Sequence, residues 1–263
     1  LREANTGPTM AAPPAVAGFF PEFRAMSQKK IALVTGANKG LGLEIARQLG
    51  KAGVQVFVGA RDAERGKKAE TELRAEGVDA HFVKLDVENQ SELDAAVKTI
   101  GEKAGKLDIL VNNAGISSDW GGSITRESFA ATLNTNVIGP WAATEAFADL
   151  LAKSGHGRVV NHSSILGSIE TLKSTDEMND FFTYAYASSK AALNMVTVIQ
   201  SKALAAKGIK VNAAHPGWVK TDLGGANAPL DVETGAKTAV ELALLNDDGP
   251  TGGYFHLGKK LPW

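Results

Sequence analysis

The stretch "IALVTGANKGLGLEIARQLGKAG", residues 31–53, changes character twice in quick succession. "IALVT" is an apolar run of strand length that ends at a glycine. The amphipathic stretch that follows predicts a helix over 41–52. Between the two, Gly36, Gly40 and Gly42 give the spacing G-x-x-x-G-x-G rather than the commoner G-x-G-x-x-G. Glycines here let the backbone turn tightly and let a phosphate approach peptide N–H groups, and the helix dipole adds favourable charge. A strand, a glycine loop and a helix in that order predict a dinucleotide cradle formed by Gly36, Asn38, Lys39, Gly40, Leu41 and Gly42.

The same alternation continues outward. The β-rich runs are "VQVFVG" (54–59), "AHFVKL" (80–85), "LDILVN" (107–112), "RVVNHS" (158–163), "IKVNAA" (209–214) and "GYFHL" (253–257). Helical candidates lie between them, among them 62–76 and 91–103, and Asn89-Gln90-Ser91-Glu92 fits a capping box. Strand and helix alternating at this rhythm imply right-handed crossovers. The expectation is an α/β single-domain Rossmann fold: a doubly wound, mostly parallel seven-stranded sheet with helices on both faces. Such sheets bind ligands outside the carboxyl ends of their strands. The unusual residues of this sequence fall at those ends.

Composition narrows the class. In 263 residues, 44% are hydrophobic and 22% charged, which suits a globular domain with one core. A net charge of −1 leaves no electrostatic footprint for nucleic acid or an anionic membrane. There is no cysteine, so disulfides, thiolate catalysis and cysteine–zinc sites are excluded. No run approaches the roughly 18 apolar residues of a membrane span. Residues 1–26 differ in composition from the rest and are expected to be a leader or arm outside the fold, with the domain covering 27–263. Ala15-Val16-Ala17 imitates a signal-peptidase site, but Pro13-Pro14 interrupt the apolar run before it. A cytoplasmic location is expected. The five histidines (His81, His156, His162, His215, His256) have no spacing of the H-E-x-x-H kind, and no metal is expected.

Within "YAYASSKAALNMV" (184–196), Tyr186 stands four residues before Lys190, so both occupy one helix face. Tyr184 has Ser188 at that distance. A free tyrosine releases its proton near pH 10. An adjacent ammonium stabilises the phenolate, and lowering the pKa by about 2–3 units asks for roughly 3–4 kcal/mol. The pair therefore suits proton delivery to a reacting oxygen. Charge also bears on the cofactor. Arg61, after the second strand, offers a guanidinium suited to phosphate, and Lys39 offers a second cation. Asp62 could instead bond a ribose 2′-OH, but it precedes a helical run and reads as its N-cap.

T-G-A-N-K-G-L-G, then Asn112-Asn113-Ala114-Gly115, then Y-A-S-S-K, then Pro216-Gly217 resemble the short-chain dehydrogenases/reductases in order and spacing. The wording N-K-G-L-G-L, G-A-R-D and G-K-K-L-P-W is most similar to the carbonyl reductase branch, and the resemblance spans residues 30–263. It implies an NADPH-dependent oxidoreductase, with cofactor NADP(H), that reduces an aldehyde or ketone to an alcohol with Tyr186 as general acid. It further implies Ser164, by alignment to N-x-S-S-x-x-G, as hydrogen-bond donor to the substrate oxygen, with Ser163 its near neighbour. Asn136 would hold a water that links Lys190 to a proton relay. Asp86 and Val87 would flank the adenine, and Asn113, Ala114 and Gly115 would lie beneath the adenine-side ribose. Asn112 and Asn113 read equally well as ties between strands. Pro216, Gly217, Val219 and Thr221 would surround the nicotinamide carboxamide.

Relative to that family, Gly167–Thr183 is an insertion between Ser164 and Tyr186 that would wall the substrate pocket and could obstruct pairing of subunits, so monomer and homo-oligomer both stay open. Residues 222–230 have the composition of a mobile lid or of a surface loop. Trp218 and Phe181–Phe182 are pocket walls or core. A small-molecule substrate is expected, with no nucleic-acid or membrane partner. The rival readings are an alcohol dehydrogenase running oxidatively on the same residues and a dinucleotide sensor without turnover.

Overall fold

The computed structural model describes residues 29–119, 124–175 and 183–263. The leader reading for 1–26 and the reading of Phe181–Phe182 lie outside the described residues. In chain order the strands are β1 (Ile31–Thr35), β2 (Gln55–Ala60), β3 (Ala80–Lys84), β4 (Ile109–Asn112), β5 (Arg158–His162), β6 (Lys210–Ala214), β7 (Tyr254–His256) and β8 (Lys259–Lys260). They form one sheet in the order β3-β2-β1-β4-β5-β6-β7-β8. The first seven run parallel, as the sequence led us to expect.

The expectation of seven strands is corrected to eight. β8 pairs antiparallel with β7 through a two-residue turn, Leu257-Gly258, whose φ values of 44° and 74° are both positive. A tight hairpin twisted with the sheet requires that geometry. "GKKLPW" carries no apolar alternation, and β8 holds only two exposed lysines, so periodicity could not reveal it. Lysines on an edge also discourage pairing with another chain.

Eight α-helices accompany the sheet among the described residues: α1 (Gly40–Lys51), α2 (Ala63–Ala75), α3 (Gln90–Ala104), α4 (Arg126–Leu133), α5 (Gly139–Lys153), α6 (Ile169–Ser174), α7 (Tyr184–Ala203) and α8 (Val232–Ala243). Alternation along β1 divides the core. Ala32 and Val34 pack with Ile45 and Leu49 of α1 and Ala239 and Leu242 of α8. Ile31 and Leu33 face the other way, onto Ile100 of α3 and Phe147 of α5. The crossovers diverge on either side of β1, between β2 and β4, which opens a crevice at the carboxyl ends of β1 and β4.

Asp62 is the N-cap of α2, its carboxylate accepting Arg65 N–H at 2.9 Å. Asn89 likewise caps α3, accepting from Ser91 and Glu92 N–H. The full capping box is corrected, however. Glu92 turns away from Asn89 to accept Asp86 N–H and Lys84 Nζ, both at 2.8 Å. A charged partner on β3 outbids the neutral backbone donor.

Between α4 and α5 the chain stays helical through a π turn, Asn134–Ile138. Below it, polar side chains lace the sheet to its helices. Asn112 Nδ2 donates to Asn161 Oδ1 at 2.8 Å and to Thr144 Oγ1 at 3.1 Å, and Asn161 Nδ2 donates to Thr197 Oγ1 at 2.9 Å. All four residues are buried, so each group depends on the others for satisfaction. Asn112→Ala leaves Asn161 Oδ1 without its donor in a dry interior and is expected to cost about 2 kcal/mol, measured as a lower urea midpoint at unchanged slope.

Candidate active site

The cofactor cradle opens where β1 meets α1. Gly36 and Gly40 sit at φ 64° and 54°, in the left-handed region that favours glycine. A Cβ at Gly42 would fall 2.4 Å from Asn113 Nδ2 and 2.6 Å from Gly36 O, so no larger residue fits. Lys39 is the N-cap of α1 and gives it no side-chain cap, which leaves the first-turn N–H groups open to an anion. Asn38 and Leu41 are half-buried beside them.

Asn113 fixes the floor. Its Nδ2 donates to Thr35 O at 2.9 Å, and its Oδ1 meets His162 Nδ1 at 3.0 Å. The backbone N–H groups of Asn113 and Ala114 both bond Thr35 Oγ1 at 3.0 Å. A Cβ at Gly115 would lie 3.2 Å from Asn136 Oδ1 and 3.7 Å from Lys190 Nζ, so this glycine is where the floor meets the Tyr186–Lys190 helix. Val87 packs against Gly139 at the start of α5, and Asp86 accepts the Glu88 N–H.

The two cations differ. Arg61 is exposed after β2 and has no hydrogen-bond or ion-pair partner among the described residues. Lys39 Nζ instead pairs with Asp222 at 2.5 Å, which ties the glycine loop to the start of the 222–230 segment. Sequence reading missed this contact because it joins residues 183 apart.

α7 brings Tyr186 and Lys190 together, as their spacing predicts, with Lys190 Nζ 5.5 Å from the Tyr186 ring centroid. The ammonium donates to His162 O at 2.7 Å. Burial pushes the Tyr186 phenol up to about 12, and a hydrogen bond with Ser164 opposes the rise. Burial also pushes Lys190 down to about 8. The expectation that the lysine lowers the phenol is therefore corrected for the chain alone. Desolvation wins because the ammonium is held by a carbonyl and is itself reluctant to carry charge.

The two serines separate cleanly. Ser163 is buried and donates to Asn194 Oδ1 at 2.6 Å, whereas Ser164 is only half-buried and lies beside the phenol. Asn136, fully buried in the π turn, accepts Ile116 N–H at 2.9 Å and donates to Ile116 O at 2.8 Å and Ser189 Oγ at 3.0 Å. It shapes the loop after β4 as well as the cleft.

The segment after β6 closes the far side. Gly217 stands at φ 86°, and a Cβ there would fall 2.4 Å from Leu230 Cδ1. Pro216 precedes it, and Val219 is buried and bridges to Leu230. Thr221 accepts Gly224 N–H at 3.1 Å, and its methyl lies 3.7 Å from where a Cβ on Gly40 would be. Trp218, 42% exposed, donates its indole N–H to Gly224 O. The described part of the 167–183 insertion forms α6, held by Ser168 Oγ on Pro262 O at 2.9 Å and Glu170 N–H on Trp263 O at 3.0 Å. Ile169 and Leu172 are exposed on it.

His162 and His215, which fit no metal spacing, are structural residues. They join strand ends. His215 Nδ1 accepts Ile165 N–H at 3.2 Å, and His256 Nδ1 lies 2.8 Å from His215 O. Among the described residues no group of three His, Cys, Asp or Glu side chains could hold a metal ion, and no helix is long and apolar enough to cross a membrane.

A doubly wound sheet with an uncapped glycine loop at its switch point and a Ser–Tyr–Lys group one strand away defines a dinucleotide-dependent oxidoreductase architecture. The chain belongs to the short chain dehydrogenase family, whose sequence model matches residues 30–229. It is 35% identical to mouse carbonyl reductase [NADPH] 1 over 281 residues, covering 90% of this chain and 99% of that protein. It is 33% identical to (+)-neomenthol dehydrogenase of Arabidopsis thaliana, covering 86% of this chain and 95% of that protein. Among solved structures, NADPH-bound carbonyl reductase from chicken fatty liver superposes with a TM-score of 0.79 at 30% identity, over 90% of this chain and all of that one.

Burial holds His162 and His215 neutral, each pushed down to about 3, with the Lys190 charge adding to the effect at His162. Unfolded, a histidine takes up a proton near pH 6.5. Each therefore contributes stability that is full above about pH 6.5 and is lost as pH falls toward 3. The loss at pH 5 is about 2 kcal/mol per histidine. In urea titrations at pH 7 and pH 5, His162→Gln is expected to show a smaller acid loss than the unmodified chain.

Proposed function

We propose that this chain is an NADPH-dependent reductase that converts an aldehyde or ketone of a small molecule to the alcohol, with Tyr186 as general acid. The observation that carries the reading is the convergence of Ser164, Tyr186, Lys190 and Asn136 at the carboxyl edge of β4 and β5, beside an open glycine loop. The two NADPH carbonyl reductases named above support the reductive assignment and the phosphorylated cofactor.

The chain's own residues fit that cofactor. The uncapped N–H groups of α1 suit a pyrophosphate. Arg61, unpartnered among the described residues, and Lys39 suit the 2′-phosphate, while Asp62 gives one carboxylate oxygen to the cap of α2. Val87 and Asp86 would line the adenine side, and Pro216, Gly217, Val219 and Thr221 would face the nicotinamide side. When bound, the reduced nicotinamide supplies a hydride to the carbonyl carbon.

Ser164 donates a hydrogen bond to the carbonyl oxygen and holds it against the phenol. Tyr186 then gives its proton to that oxygen as negative charge develops. The phenol is protonated throughout the neutral range, so it is ready to donate, and its difficulty is the phenolate left behind. Lys190, close over the ring, stabilises that phenolate once its ammonium is drawn from His162 O. Pro140 has no N–H, so the Asn136 carbonyl lacks the donor that an α-helix would give it four residues on. We assign to that carbonyl the water through which Lys190 is reprotonated.

Two substitutions test the reading. Tyr186→Phe is expected to lower kcat by about a thousandfold or more while NADPH binding, followed by fluorescence, changes little. Retained turnover would remove Tyr186 from the mechanism. Arg61→Ala is expected to raise the NADPH Kd by about tenfold and leave NADH unchanged. Equal weakening of both cofactors would detach Arg61 from the 2′-phosphate.

A further inference from the structure

Asp119 stands in the loop between β4 and α4 and has no part in the roles above. It is only 6% exposed, a position where a carboxylate needs strong partners. Its Oδ2 accepts the backbone N–H of Ala185 at 2.7 Å, and its Oδ1 accepts the Ser117 hydroxyl at 3.3 Å. Ala185 is the second residue of α7 and Tyr186 is the third.

The first four N–H groups of any helix lack partners within it. α7 cannot cap itself: its N-cap, Thr183, makes no side-chain cap bond, and the Thr183 hydroxyl is buried without a partner among the described residues. Asp119 supplies the missing acceptor from 66 residues upstream. Its negative charge also complements the positive end of the helix dipole.

The stretch that leads into it is braced at two points. Ile116 is held by N–H and C=O to the Asn136 carboxamide. Ser118 Oγ bonds Ser128 O at 3.0 Å and Thr132 Oγ1 at 2.6 Å. Asp119 is thus a fixed prop under the first turn of α7, one peptide from the phenol-bearing residue.

We propose that Asp119 is a positioning residue, which by capping α7 from the β4–α4 loop sets the depth and orientation at which Tyr186 meets Ser164 and the substrate oxygen. This rests on Tyr186 as the proton donor. Its consequence is steep, because misplacing a catalytic group by about 1 Å costs on the order of a hundredfold in rate.

The test uses the full chain, NADPH and a reducible carbonyl, with Asp119→Ala, Asp119→Asn and Asp119→Glu. Asp119→Ala is expected to lower kcat by about ten- to a hundredfold with the NADPH Kd within about twofold, and to speed amide exchange at Ala185 by about tenfold. Asp119→Asn keeps an acceptor oxygen and is expected to return kcat to within about threefold of the unmodified chain. Asp119→Glu, one methylene longer, is expected to be slower than Asp119→Asn although it keeps the charge. If Asp119→Ala does not fold, the Asn and Glu variants carry the comparison. Unchanged kcat and exchange in Asp119→Ala, or Asp119→Glu equal to the unmodified chain, would overturn the proposal. Absence of turnover in the unmodified chain would instead overturn the reductase reading, while exchange at Ala185 would still decide the cap.

Discussion

The Asn113 carboxamide joins the carboxyl ends of three strands. It donates to Thr35 O on β1, belongs to the end of β4, and meets His162 Nδ1 on β5. Because its Nδ2 is committed to Thr35, its Oδ1 is the acceptor, so the His162 proton sits on Nδ1. A switch point pulls the adjacent crossovers apart and leaves polar strand ends half-buried without their neighbours. Each such group left unmade costs about 1–3 kcal/mol, more than a made bond contributes. One amide removes several of these costs together. It also links the two halves of the site, since His162 offers its carbonyl to Lys190 while its ring is held by Asn113.

Around that node the energetics are those of burial. Tyr186, Lys190, His162 and His215 are all displaced toward their uncharged forms, and desolvation is the largest cause in each case. The site gathers ionisable groups in a place that penalises charge, which sharpens the effect of any charge introduced there. Lys39 and Asp222 show the opposite regime. Their pair is exposed, and the Asp222 carboxyl is held below its usual range by the Lys39 hydrogen bond, in a setting where water competes for both. The Tyr186–Lys190 side of the cleft is desolvated, whereas the Lys39–Asp222 side is open to solvent.

Local order was legible in the sequence. The seven parallel strands, the glycine loop, the Asp62 cap and the i, i+4 pairing of Tyr186 with Lys190 are each written within a few consecutive residues, and the structure holds them within a residue or two of where the pattern puts them. What stayed hidden depends on contacts between distant segments. Asp119 reads as one acidic residue in a loop until α7 is folded against it. His162 occupies a position in "RVVNHS" that pattern alone reads as one more strand residue. Glu92 satisfied the local rule for a capping box, yet Lys84 lay closer in space. The phenol shift of the chain alone was hidden for the same reason: spacing puts an ammonium near a tyrosine, but only packing tells how much water has been removed from both. Ser163 and Ser164, adjacent in sequence, are separated by strand alternation, which turns one toward Asn194 and the other toward the cleft.

The π turn at Asn134–Ile138 has a consequence of a different kind. It holds one residue more than the α-helical turn it replaces, so it offsets the helix before it from the helix after it by about 100°. Upstream of that offset, Thr132 faces the loop that carries Asp119; downstream, Ala143, Phe147 and Leu151 face the sheet. Removing one residue here would leave a continuous helix of almost the same composition, yet its two faces would fall out of phase. Either the core or the active-site side would have to turn away. A substitution in this helix is felt where it is made, but a change of length is felt at both ends, so the helix tolerates new side chains far better than a new residue count.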